Sequence, residues 1–158
     1  MSEHIASQVH KILIKKKKSV SIAESCTGGL VSSFLTDIPG SSQYLILGVV
    51  AYSNKAKEKI LGIPAAVIRE KGAVSGEVAL RMASAAKRLG NSDFGLGITG
   101  IAGPTGGSRT KPAGTVFIAL AGRKKRIFKK YFFKGGRREV RRMAAGKALE
   151  LLYTTVRR

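Results

Sequence analysis

Two short runs carry side chains suited to covalent chemistry. The first, Ala23-Glu24-Ser25-Cys26-Thr27-Gly28-Gly29, sets a hydroxyl beside a thiol. Either Ser25 or Cys26 could serve as nucleophile. Backbone N–H groups at a following helix start could then hold an anion or oxyanion. The same run also reads as a tight strand-to-helix turn with a Ser or Thr cap. The second run is Tyr52-Ser53-Asn54-Lys55-Ala56-Lys57. A lysine just inside a helix that follows a buried strand can point into a cleft. Desolvation and nearby positive charge lower its pKa, and a neutral Lys57 can take a proton from a serine. The competing reading keeps Lys55, Lys57 and Lys59 on a solvated helix surface, where lysines usually lie.

Two further segments suit binding. Thr99-Gly100-Ile101-Ala102-Gly103-Pro104-Thr105-Gly106-Gly107-Ser108 is followed by Lys111-Pro112-Ala113-Gly114-Thr115. Glycine lets backbone approach a ligand closely, so this loop suits a phosphate or ribose; the plain alternative is a flexible surface connection. Arg137-Arg138-Glu139-Val140-Arg141-Arg142 opens a helix with guanidiniums suited to phosphate, or simply a solvated basic face.

Other chemistries lack their residues. The only histidines are His4 and His10, and Cys26 is the one cysteine, so no His-Cys metal site is expected. There is no G-x-S-x-G elbow and no phosphate loop ending in GK[ST]. The nine acids include no close pair suggesting glycosidase work.

Regular elements must position these runs. The apolar stripe Ile5, Val9, Ile12, Leu13 predicts a helix over 3–16. Strands are expected at 20–23, at 44–53 as a buried apolar run, at 93–99, at 115–121 and at 126–133, the last two forming a hairpin. Helices are expected at 30–37, from an Asn54 cap over 55–61, from Pro64 to Glu70, from a Ser75 cap over 76–89, and at 139–156. Strands alternating with helices give an α/β domain, and the late hairpin makes its sheet mixed. No linker divides the chain, so one domain over 1–158 is expected. In such sheets ligands bind beyond the carboxyl ends of the strands, where the Ser25 run, the Lys57 run and the glycine loop all fall.

Charge is the outlying property. The 158 residues include 29 Lys+Arg and 9 Asp+Glu, net +20. Residues 1–80 carry +4, 81–158 carry +16, and 123–158 alone carry +12. Such an excess attracts polyanions through counterion release, which makes nucleic-acid binding the rival reading; a generally basic surface is the plain one. The 44% apolar content argues against disorder. No apolar run reaches membrane-span length, no signal peptide is apparent, and a lone cysteine fits a reduced compartment, so a cytoplasmic setting without membrane contact is expected.

Taken together, AESCTGG at 23–29, PGSS at 39–42, AYSNKAK at 51–57, GAVS at 72–75, TGIAGPTGG at 99–107 and KPAGTV at 111–116 resemble the CinA C-terminal domain family. FKGGRREVRR at 133–142 is a weaker match. The likeness runs from about Ile5 to Leu152. It implies a three-layer α/β/α sandwich, commonly oligomeric. Larger family members add a domain resembling molybdopterin-binding proteins; this chain looks like the standalone form, the nicotinamide-nucleotide amidohydrolases. The resemblance implies hydrolysis of the carboxamide of nicotinamide mononucleotide to nicotinic acid mononucleotide and ammonia, without cofactor or metal. Ser25 matches the family's nucleophile, Lys57 its general base, and Tyr52 a residue assisting positioning or proton transfer. Thr27, Gly28, Gly29, Thr99, Gly100, Ala102, Gly103, Gly106 and Gly107 would then contact substrate. Arg137 and Arg141 are the candidates for its phosphate. Nucleic acid is expected to bind weakly and without specificity at most.

Overall fold

The computed structural model describes residues 2–158. Five strands form one sheet in the order β2-β1-β3-β4-β5. These are β1 (Val20–Glu24), β2 (Leu45–Val50), β3 (Phe94–Gly100), β4 (Thr115–Ala121) and β5 (Arg126–Phe132). β2, β1 and β3 run parallel; β4 returns antiparallel to β3, and β5 antiparallel to β4. The sheet is therefore mixed, with the reversal produced by the 115–132 hairpin.

Six helices cover it: α1 (Ser2–Lys16), α2 (Leu30–Thr36), α3 (Asn54–Leu61), α4 (Ala65–Lys71), α5 (Gly76–Leu89) and α6 (Arg137–Arg157). Alternation along each strand sorts the layers. Val20 and Ile22 of β1, Leu96 and Ile98 of β3, and Ile118 and Leu120 of β4 pack against α1, α2 and α6. Ala23, with Val78 and Met82 of α5, packs against α3 and α4, while Phe117 and Ala119 meet α5. The result is a three-layer α/β/α fold. Among the described residues, no helix is long and apolar enough to cross a membrane.

The α5 face of β3 is built from glycine. A Cβ on Gly95 would collide with the Ala83 carbonyl, and one on Gly97 with the Ala79 carbonyl. Their absence lets the Ala-rich face of α5 lie directly on the backbone of β3. This is close helix–sheet packing that a larger residue would forbid.

Three local expectations need correction. The apolar run 44–53 yields only a six-residue strand at the sheet edge, with Ile46 and Val50 about half exposed rather than buried. β1 takes one partner on each side, so β2 has no outer neighbour. Asn54 is not the cap of α3: Ser53 Oγ accepts from the Ala56 N–H at 3.0 Å, and Asn54 is the first helical residue. The last helix begins at Arg137, two residues early, because the Glu139 carboxylate accepts the Gly136 N–H at 2.7 Å and closes the first turn. The Ser75 cap forms as expected, accepting from Val78 N–H at 3.2 Å.

Candidate active site

Ser25 is the first residue beyond β1, and its N–H donates to the Ile98 carbonyl at 3.0 Å, a last rung joining β1 to β3. The chain then turns through Gly28 (φ 60°) and Gly29 (φ 96°) into α2. Two successive left-handed residues explain the paired glycines. Glu24 holds this turn in place. Its carboxylate is fully buried and accepts from the N–H groups of Gly29, Val31 and Ser32 at 2.9–3.2 Å, and from Ser32 Oγ at 2.8 Å. A negative charge on the first-turn amides of α2 suits the positive end of the helix dipole. No capping-box spacing announces this contact, so the sequence did not flag Glu24.

Lys57 comes from the inward face of α3 and is only 2% exposed. The solvated-surface reading is thereby excluded. Its Nζ lies 3.0 Å from Ser25 Oγ, 3.1 Å from the Ala51 carbonyl and 3.0 Å from the Tyr52 carbonyl. Burial lowers its pKa below the ordinary lysine range, opposed in part by the Cys26 thiol. A neutral amine has two N–H groups and one lone pair. If the two carbonyls take the N–H groups, the lone pair faces the Ser25 hydroxyl.

Cys26 presents the opposite case. Burial pushes its thiol up to about 12, further than the neighbouring backbone amides and Lys57 can pull it down. It packs in the core with α2 and α6 residues. A thiol held protonated is a poor nucleophile, so of the two candidates Ser25 alone has a base beside it.

Above Ser25 lies a cleft of about 240 Å³. Ser25, Cys26, Tyr52, Asn54 and Lys57 form one side; Ala73 and Val74, with Thr99 to Gly103, form another; Thr105, Gly106 and Arg137 close it. Thr99 Oγ1 donates to the Ala73 carbonyl at 2.8 Å, and Lys111 Nζ to the Val74 carbonyl at 2.7 Å, fixing the wall that precedes α5. Arg137 bridges the mouth: Nη1 donates to the Gly103 carbonyl at 3.0 Å and Nη2 to the Tyr52 hydroxyl at 2.9 Å. No carboxylate pairs with it among the described residues. The Tyr52 side chain is thus an exposed rim group, and its carbonyl, not its hydroxyl, touches Lys57.

Several expected contacts lie elsewhere. Thr27, Gly28, Gly29 and Gly107 do not line the cleft. Gly28 N–H donates to the Ser25 carbonyl at 3.0 Å and Gly29 N–H to Glu24, so neither is available to an oxyanion. The Cys26 and Thr27 N–H groups lie beside the Cys26 sulfur, and of the two only Cys26 belongs to the cleft lining. Arg141 sits behind the turn: Nη2 donates to the Thr27 carbonyl at 2.8 Å and lies against Gly28. Asn54, Ala73, Val74, Ile101 and Thr105, which were not among the residues expected to contact substrate, also line the cleft because three separate segments converge there.

A family model for the CinA C-terminal domain matches residues 2–156. The chain belongs to the CinA C-terminal domain family. A CinA-like protein of Geobacter sulfurreducens is 47% identical over 148 residues, which is 94% of this chain and 36% of the relative. A putative competence-damage inducible protein of Desulforudis audaxviator is 45% identical over 150 residues, again 36% of its length. The chain thus spans about a third of the length of the curated relatives it matches. Among solved structures, the competence/damage inducible protein CihA of Agrobacterium tumefaciens superposes with a TM-score of 0.95 at 37% identity, covering 99% of this chain and 96% of that one. The competence damage-inducible protein A of Klebsiella pneumoniae superposes at 0.93 with 31% identity, covering 97% and 95%. CinA-domain folds of this kind therefore share the layer architecture described above.

Proposed function

We propose that the cleft hydrolyses a carboxamide, that of nicotinamide mononucleotide, by a Ser-Lys mechanism. The observation that carries this reading is the buried Lys57 amine, 3.0 Å from Ser25 Oγ and held by two backbone carbonyls. The identity of the amide rests on the likeness of ESCTGG and YSN-x-x-K to the family's amidohydrolases.

In the proposed reaction Lys57 accepts the Ser25 hydroxyl proton as Oγ bonds to the amide carbon. The carbonyl oxygen becomes an oxyanion, to be held by a backbone N–H group of the cleft lining, at Cys26 or in the 99–106 loop. The Lys57 ammonium returns its proton to the amide nitrogen, the C–N bond breaks, and ammonia leaves. Water then attacks the acyl-serine, giving its proton to Lys57, and nicotinic acid mononucleotide is released with Ser25 restored. A neutral lysine also tolerates the positive pyridinium ring, whereas an ammonium would repel it. Arg137, with no carboxylate partner at the mouth, suits the 5′-phosphate.

The test is direct. The protein incubated with nicotinamide mononucleotide should release ammonia and the acid mononucleotide in equal amounts. Undiminished ammonia release by Ser25→Ala, or none by the wild type, would overturn the reading.

A further inference from the structure

β5 is an edge strand whose α5-side face is left largely open. Arg126, Phe128, Lys130 and Phe132 share that face, opposite Ala121, Ala119, Phe117 and Thr115 of β4. Their neighbours Ile127, Tyr131 and Phe133 point the other way into the core. The first turn of α5 covers one part of it, where the Phe128 ring lies against Gly76. Phe128 is 48% and Phe132 54% exposed, and Lys130 Nζ sits 5.8 Å from the Phe117 ring centroid. Beyond Arg126 the face continues into an open groove of about 580 Å³, to which α5 adds Arg81 and Arg88. Its single acid, Glu77, is already engaged with Arg81 at 2.6 Å.

We propose that this face binds single-stranded nucleic acid, with bases stacked on Phe128 and Phe132 and phosphates tracking Lys130, Arg126 and the groove. Charge argues for a polyanion: residues 123–134 hold seven basic side chains and no acid. None of them forms an ion pair among the described residues. The same charge opposes a second copy of this chain on the strand, since two such edges would repel. Geometry argues for a single strand. Phe128 and Phe132 stand four residues apart on the strand, about 13–14 Å, roughly four times the ~3.4 Å rise of stacked bases, so the two rings can take two bases of an opened strand but not two stacked neighbours of a duplex. Aromatic rings interleaved with cations on an exposed strand form the stacking platform such ligands use. The site is separate from the Ser25 cleft and does not depend on its chemistry.

The experiment measures fluorescence anisotropy of a labelled fifteen-nucleotide oligothymidylate, and of a duplex of equal length, across a salt series. Wild type should bind the single strand more tightly, with log affinity falling against log salt at a slope of about −3, as four phosphate contacts require. Phe132→Leu keeps an apolar group at this exposed position and should weaken single-strand binding by about fivefold or more, leaving duplex binding unchanged. Arg126→Gln with Lys130→Gln should weaken both and flatten the slope. Lys11→Gln with Lys15→Gln, an equal charge change on α1 in the opposite layer, should leave affinity within about twofold. Circular dichroism establishes that each variant is folded. The proposal is overturned if Phe132→Leu binds as wild type, if the α1 change matches the β5 change, or if the chain binds anionic vesicles and not the oligonucleotide.

Discussion

Ser25 and Lys57 stand 32 positions apart in the chain and 3.0 Å apart in the fold, joined Oγ to Nζ inside a pocket that leaves Lys57 almost no contact with water. The contact depends on two strand ends meeting. β1 delivers Ser25, and β2, paired beside it in parallel, delivers the 51–53 turn from which α3 projects Lys57 back across the strand. Ala51 N–H donates to the Glu24 carbonyl at 2.9 Å, so the two turns are also tied by backbone immediately beside the pair.

If that pair performs the chemistry, Ser25→Ala removes ammonia release from nicotinamide mononucleotide, while Cys26→Ala retains most of it. The Cys26 substitution should lower thermal stability instead, since it empties part of a packed core. Turnover and a melting curve on each variant separate the two roles.

Cys26 should also be silent toward thiol reagents. With a pKa of about 12, roughly one thiol in ten thousand is ionised at pH 8, and the side chain is buried. Ellman's reagent should react at near-zero rate with the native protein and stoichiometrically after unfolding. Rapid labelling of the folded chain would contradict the burial described for it.

The lysine gives activity and stability the same pH direction. Its neutral form is the base, so turnover should climb with pH through its lowered pKa and then level off. The unfolded chain holds the proton more tightly than the folded one. Stability should therefore rise with pH between the lowered folded value and the ordinary lysine range, where the cost of burying the cation disappears. Lys57→Met, of similar length and without charge, should lower turnover by about 10²–10⁴-fold and remove both pH dependences. A pH–rate profile and denaturant melts at several pH values read the two effects.

The two arginines should respond differently. Arg137→Ala loses the unpaired guanidinium at the mouth and should raise KM more than it lowers kcat. Arg141→Ala leaves the Thr27 carbonyl without its donor and should act on the turn, lowering stability by about 1–3 kcal/mol. Steady-state kinetics paired with thermal melts distinguish substrate binding from support of the loop.

Gly95→Ala tests the close packing of α5. A single methyl there meets the Ala83 carbonyl, and backbone cannot yield as a side-chain tip can. A loss of about 1–3 kcal/mol is expected, although the position lies near the start of β3 and the cleft lies beyond its other end. Because α5 begins directly after the Ala73–Val74 wall, turnover should fall with it.

Much of this was legible in the sequence for physical reasons. Hydrophobic period and Gly, Pro and Ser punctuation located the helices and strands, because burial and capping act locally. Ser25 and Lys57 were visible as a hydroxyl and a lysine at strand ends, but pattern alone suited a cap and a solvated surface as well, and the resemblance to the CinA C-terminal domain family singled them out. The buried reading of β2 failed because an apolar run cannot say whether a strand lies at an edge. Glu24 was missed because its partners lie five to eight residues ahead, beyond any local capping pattern. Arg141 was taken for a ligand group because charge pattern cannot tell which side of a turn a guanidinium reaches. The role of Gly95 and Gly97 needed α5 to be seen on top of them.

The bond from Ser25 N–H to the Ile98 carbonyl has a bearing on timing. A chain synthesised from its N-terminus carries the hydroxyl and the amine long before residue 98 exists. Until β3 slots in alongside β1, the serine lacks this bond at the foot of the cleft, and the cleft lacks its 99–106 wall. A nascent or truncated chain ending before β3 would hold both reacting groups and still be inert. Any hydrolysis by this chain would therefore report that β3 has paired with β1.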